Sequence, residues 1–95
     1  MNLPLDKQGA LNCAIKGLQA EGATEVHVFG SSLDDRFRED SDLDLAVRGI
    51  PAERWYFALG KALEGLPVSA DVIDLDRPSR FVEFLIRSGR LRRVA

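Results

Sequence analysis

The chain has 95 residues, of which 45% are hydrophobic and 29% charged, which suits one folded domain and leaves no room for a second core. This composition excludes a disordered or fibrous chain, and a net charge of −2 gives no general reason to expect binding to nucleic acid or membranes. A single cysteine, Cys13, excludes an internal disulfide. It lies beside the apolar stripe of the predicted first helix, and we expect its side chain to be packed there. No apolar run follows a basic start, so we expect no signal peptide, no membrane span and a cytoplasmic location.

The first half of the chain predicts one helix and two strands. Apolar residues at helical spacing predict a helix over about Leu5 to Ala20, ended by Gly22. Alternation predicts a strand over Glu25 to Phe29, and a short helical turn is expected at 33–37. The segment from Asp42 to Val47 alternates again, with its leucines and valine on one face and its aspartates on the other.

The second half predicts two more helices, each followed by a strand. Pro51 suits the first turn of a helix whose apolar stripe runs from Trp55 to Leu66, and a strand follows over 68–75. Asp76 or Ser79 can cap a last helix, which carries Phe81, Phe84 and Leu85 and ends at Gly89, before a short strand at 91–94. The order predicts a single α/β (α+β) domain over residues 1–95, with about four α-helices packed on a small mixed sheet.

The main chemical signal is Asp42-Leu43-Asp44 on a predicted strand. Residues two apart on a strand point to the same face, so the two carboxylates lie side by side and repel each other unless a cation intervenes. Such a pair is either solvated on an edge strand or binds a hard divalent metal such as Mg²⁺, which prefers one or two carboxylates plus phosphate oxygens. The residues alone leave these two alternatives equally open.

Two further features favour the second alternative, a pair of carboxylates that binds a metal. Gly30-Ser31 follows a predicted buried strand, where a tight turn can present backbone N–H groups and a hydroxyl to a phosphate, although a simple strand-to-helix turn also explains it. An acid also interrupts the apolar strand at Asp71, while Asp74 lies on the opposite strand face and Asp76 suits a helix start. The residues alone do not decide which of these three acids joins Asp42 and Asp44.

The stretch from Val26 to Val47, with Gly30-Ser31 ten residues before Asp42-Leu43-Asp44, resembles the signature of the DNA polymerase beta-like nucleotidyltransferase superfamily. The chain length and the Asp71-Val72-Ile73-Asp74-Leu75 strand resemble the prokaryotic minimal nucleotidyltransferases. The resemblance implies that Asp42, Asp44 and Asp71 hold two Mg²⁺ ions and carry catalysis. It also implies that Gly30 and Ser31 bind the triphosphate of the nucleotide.

The resemblance further implies a cytoplasmic antitoxin that transfers AMP from ATP to a tyrosine of a HEPN-domain toxin. We expect such a protein to contact this partner without binding nucleic acid directly. Two alternatives stay open: a binding module that neutralises its partner by contact alone, and a transferase that acts on a small molecule. The C-terminal arginines are either a solvated surface or a contact for an acidic partner or phosphates.

Overall fold

The computed structural model describes residues 5–29, 43–66 and 69–95. The elements in chain order are α1 (Leu5–Ala20), β1 (Glu25–Val28), β2 (Leu43–Arg48), a 3-10 turn (Ala52–Arg54), α2 (Trp55–Ala62), β3 (Ala70–Asp74), α3 (Arg80–Ser88) and β4 (Arg92–Arg93). This order agrees with the sequence-based prediction. The expected turn at 33–37 lies outside the described residues. The expected count of about four α-helices was slightly too high, because the described ranges contain three and the 3-10 turn.

The four strands of the described ranges form one mixed sheet in the order β3-β2-β1-β4. β1 pairs antiparallel with both β2 and β4, whereas β2 and β3 are parallel. The parallel pair requires a crossover, which α2 supplies on one face of the sheet. The result is an α+β domain with helices on both faces.

The first face of the sheet carries the larger core. Its central strands contribute Val26, Val28, Leu43, Leu45 and Val47, all fully buried beneath α1 and α2. This alternation follows from the two-residue period of a strand, which the sequence shows clearly in β2. One sequence expectation was wrong here: Cys13 is exposed rather than packed against the core.

The second face carries a smaller core beneath α3. Ala46 of β2 and Phe29, directly after β1, pack there against Val82 and Leu85 of the helix. Of the two predicted caps, Ser79 is the one used, since its Oγ accepts a hydrogen bond from the backbone N–H of Val82 at 3.1 Å.

The buried face of α3 differs from the apolar set that the sequence suggested. Phe81 and Phe84 are 48% and 60% exposed, while Val82 and Leu85 are buried. The rotation of a short helix about its axis depends on where it begins and on what it packs against, and both are tertiary properties. No helix within the described ranges is long and apolar enough to cross a membrane.

Candidate functional site

Asp44 and Asp71 occupy paired positions on the parallel strands β2 and β3. Neighbouring strands lie about 4.8 Å apart, and residues in register on two strands point to the same face. The sheet therefore places these two carboxylates side by side on its second face, near the start of both strands. Asp44 is half-buried, whereas Asp71 is exposed.

The buried side of the sheet fixes the position of this pair. Leu43 and Leu45 flank Asp44 along β2, and both are fully buried in the larger core. Val72, next to Asp71, packs against the same core. Because the strand period alternates, anchoring these apolar neighbours on one face holds the two carboxylates on the other.

Asp74 and Asp76, the other two acids in or next to β3, do not lie beside Asp44. Asp74 pairs with Val47, so it lies on the opposite face from Asp71, and its Oδ1 accepts the backbone N–H of Asp76 at 2.9 Å. Asp76 in turn accepts the N–H of Gly49 at 2.8 Å and pairs with Arg48 at 3.2 Å. These contacts join the far ends of β2 and β3. Asp71 is thus the acid of this region that lies beside Asp44.

The remaining predicted site residues belong to the segment that joins β1 to β2. Gly30, Ser31 and Asp42 lie outside the described residues, and their roles stay predictions. The neighbouring chain is described: the backbone N–H of Phe29 donates to the carbonyl oxygen of Asp44 at 3.0 Å. The position from which the chain continues into Gly30-Ser31 is therefore adjacent to Asp44.

An apolar wall borders the acid pair, and the sequence analysis missed it. Phe29 packs in the smaller core with Ala46, which shares its face of β2 with Asp44. The ring of Phe81 meets the ring of Phe29 edge-on, with centroids 6.0 Å apart. The alternation along β1 placed Phe29 at the end of the predicted strand. Nothing in the sequence indicated that the first turn of α3 would lie beside it.

The donor set of the pair suits a hard divalent cation. Two carboxylates on adjacent strands offer the oxygen ligands that Mg²⁺ prefers, and phosphate oxygens of a nucleotide can complete the shell. Within the described ranges, no group of three or more His, Cys, Asp or Glu residues that could hold a metal occurs. The two carboxylates therefore fit part of a metal site, and Asp42 is the predicted source of the third.

A second polar group lies on the same face, toward the other end of β1. The Nε2 atom of His27 donates to Oε1 of Glu25 at 2.9 Å, because a carboxylate can only accept. This hydrogen bond, together with the positive charges of Arg93 and Arg48, lowers the pKa of the Glu25 carboxyl, while partial desolvation opposes the shift. His27 is paired with Ala46, which lies two residues from Asp44 along β2.

Residues 13–90 match the family model of the nucleotidyltransferase domain. The chain belongs to this family, within the polymerase beta-like superfamily. The nucleotidyltransferase match extends from α1 through α3 and includes both Asp44 and Asp71. Comparisons with curated proteins and with solved structures gave no significant match.

Membership of this family gives the domain a general activity, the transfer of a nucleotidyl group. Nucleotidyltransferase domains generally use a nucleoside triphosphate and divalent metal ions. The paired carboxylates of Asp44 and Asp71 are a chemically suitable part of such a site.

Proposed function

We propose that this nucleotidyltransferase domain transfers AMP from ATP, with Mg²⁺, to a tyrosine of a HEPN-domain toxin, and so acts as its antitoxin. The observation that carries the transfer step is the register of Asp44 with Asp71 on one face of the sheet. The choice of ATP, of Mg²⁺ and of the HEPN partner rests on the resemblance to minimal nucleotidyltransferases.

The proposed roles of Asp44 and Asp71 use their positions on the sheet, and those of Gly30, Ser31 and Asp42 rest on the resemblance. Asp42, Asp44 and Asp71 would hold the metal ions, which when bound would neutralise charge on the phosphates and increase the acidity of the acceptor hydroxyl. Asp71 accepts the proton of that hydroxyl. Gly30 and Ser31 bind the triphosphate. The acceptor oxygen then bonds to the α-phosphorus, the bond from the α-phosphorus to the bridging oxygen breaks, and pyrophosphate leaves.

The C-terminal region supplies a surface for the proposed partner. Four arginines of this region are exposed and form no ion pair within the described part of the chain: Arg80, Arg87, Arg90 and Arg92. Phe84 is exposed between the first two, along the same face of α3. Unpaired positive charge beside an aromatic side chain suits a partner whose contact face is acidic and partly apolar.

This same surface favours a second candidate function, a module that inhibits its partner by contact alone. The two functions predict different behaviour after separation. An AMP group on tyrosine is a phosphodiester and stays attached when the proteins are separated, whereas inhibition by contact disappears with the complex.

The test uses a purified HEPN-domain protein, incubated with the purified domain and Mg²⁺-ATP. Transfer predicts that the HEPN protein gains the mass of one or more AMP units and stays inactive as an RNase after separation. An Asp44→Asn/Asp71→Asn variant should give neither effect. Full inhibition by this variant, with no added mass in the wild-type reaction, would exclude transfer and support the contact module.

A further inference from the structure

Tyr56 is the only tyrosine of the chain, and it lies on the surface. Its side chain is 84% exposed in the first turn of α2, beside Phe57, which is 60% exposed. Aromatic side chains bury large apolar areas when they meet another protein, so two adjacent exposed rings indicate a contact surface. An exposed phenol is also a nucleophile that a nucleotidyltransferase with a tyrosine acceptor could use.

The other described hydroxyls are poorer acceptors. Thr24, Ser79 and Ser88 each make a hydrogen bond to or from the backbone through their side-chain oxygen. Ser69 is the one described aliphatic hydroxyl without such a bond, and it ionises less readily than a phenol. Among the described residues, Tyr56 therefore combines the greatest exposure with the most suitable chemistry.

The residue after Tyr56, Phe57, carries cations beside its exposed ring. The guanidinium of Arg54 and the ammonium of Lys61 lie 5.9 and 6.0 Å from the centroid of that ring. Arg54 also pairs with Glu21 at 3.1 Å, whereas Lys61 has no ion pair among the described residues. An exposed ring with a cation beside it can stack on the base of a nucleotide.

Within one molecule, however, Tyr56 and the acid pair belong to opposite faces of the sheet. α2 buries Ala58 and Ala62 against the first face of the sheet, while Asp44 and Asp71 lie on the second face. The thickness of the sheet separates the phenol from the carboxylates. This arrangement favours the acid pair of another molecule over that of the same molecule.

We propose that Tyr56 is an AMP acceptor for a second copy of this chain, an inference that rests on the proposed transferase function. The Oη atom bonds to the α-phosphorus of ATP held by the second copy, and pyrophosphate leaves as the bond to the bridging oxygen breaks. The phenolic proton passes to Asp71 of that copy and then to water. The product carries one negative phosphodiester charge.

The test mixes two variants that are each incapable of the complete reaction alone. Asp44→Asn/Asp71→Asn keeps the acceptor and lacks the acid pair, whereas Tyr56→Phe keeps the acid pair and lacks the acceptor. With Mg²⁺-ATP, the mixture should add AMP to Tyr56 of the first variant, as seen by peptide mass spectrometry. No modification of the first variant in the mixture would overturn the inference.

A second acceptor separates failure of this inference from failure of the proposed function. The Tyr56→Phe protein should still transfer AMP to N-acetyl-tyrosine amide. Transfer to this compound, with Tyr56 unmodified in the wild-type protein, would refute the inference and leave the transferase function standing. No transfer to either acceptor would refute both.

The exposure of the Tyr56 phenol, on which the inference depends, can be measured without metal or nucleotide. Tetranitromethane should nitrate Tyr56 rapidly in the metal-free protein, and the AMP-modified protein should resist nitration. Slow nitration of the unmodified protein would contradict an accessible phenol and overturn the proposal.

Discussion

Gly17 of α1 lies directly against the backbone of Ala62 in α2. A Cβ atom on Gly17 would be 2.6 Å from the carbonyl oxygen of Ala62 and 2.9 Å from its Cα. Both distances are shorter than packed atoms tolerate, and the obstacle is backbone rather than a flexible side chain. The absence of a side chain at this glycine is therefore what lets the two helices approach closely and cover the first face of the sheet.

Substitution of this glycine should destabilise the fold, although alanine favours helices. Gly17→Ala should lower the free energy of unfolding by about 1–3 kcal/mol, as overpacking does. Gly9→Ala in the same helix is the matched control, because a Cβ there meets nothing within 4 Å. It should raise the free energy of unfolding by about 0.5–1 kcal/mol. Urea unfolding measures both, and equal effects would contradict the close helix contact.

The cap of α3 gives a second prediction. Ser79→Ala removes the hydrogen bond to the N–H of Val82 and should lower the free energy of unfolding by about 1 kcal/mol. Ser69→Ala removes a hydroxyl that makes no described hydrogen bond, and should change stability by less than about 0.5 kcal/mol. Thermal and urea unfolding of the two variants test this difference. An equal loss in both would exclude Ser79 as the cap.

A third prediction concerns the pH dependence of stability. The hydrogen bond from His27 lowers the pKa of Glu25 in the folded protein, so folding favours the ionised carboxylate. This contribution is fully present above the pKa of the unfolded state, about 4.3 for a glutamate, and is lost as the pH falls through the lowered folded value. The stability difference between wild type and Glu25→Gln should therefore shrink as the pH falls. NMR titration should place the pKa of Glu25 below that of an unfolded glutamate, and a value above it would contradict the contact.

The sequence predicted the helices and strands well because each has a strong local pattern. The alternation around Leu43 and Leu45 identified which face of β2 is buried, and therefore which face carries Asp44. The residues alone did not show which of Asp71, Asp74 and Asp76 lies beside Asp44. That choice depends on the register of β3 against β2, which pairs Asp71 with Asp44 and is a property of the folded sheet.

The borders of the site were harder to predict for the same reason. Phe81 lies more than 50 positions from Phe29 in the chain, and their contact depends on how α3 packs on the sheet. The apolar residues of α3 allow more than one buried face. Packing selected Val82 and Leu85 and left Phe84 exposed.

We propose that Asp44 and Asp71 together bind a divalent metal that serves nucleotidyl transfer. Titration of the metal-free protein with Mn²⁺, followed by electron paramagnetic resonance, tests this for Asp71→Asn and for its matched control Asp74→Asn. We expect Asp71→Asn to weaken Mn²⁺ binding by more than about tenfold, while Asp74→Asn, on the opposite face of the same strand, binds as the wild type does. Wild-type affinity in Asp71→Asn, or an equal loss in both variants, would contradict this proposal.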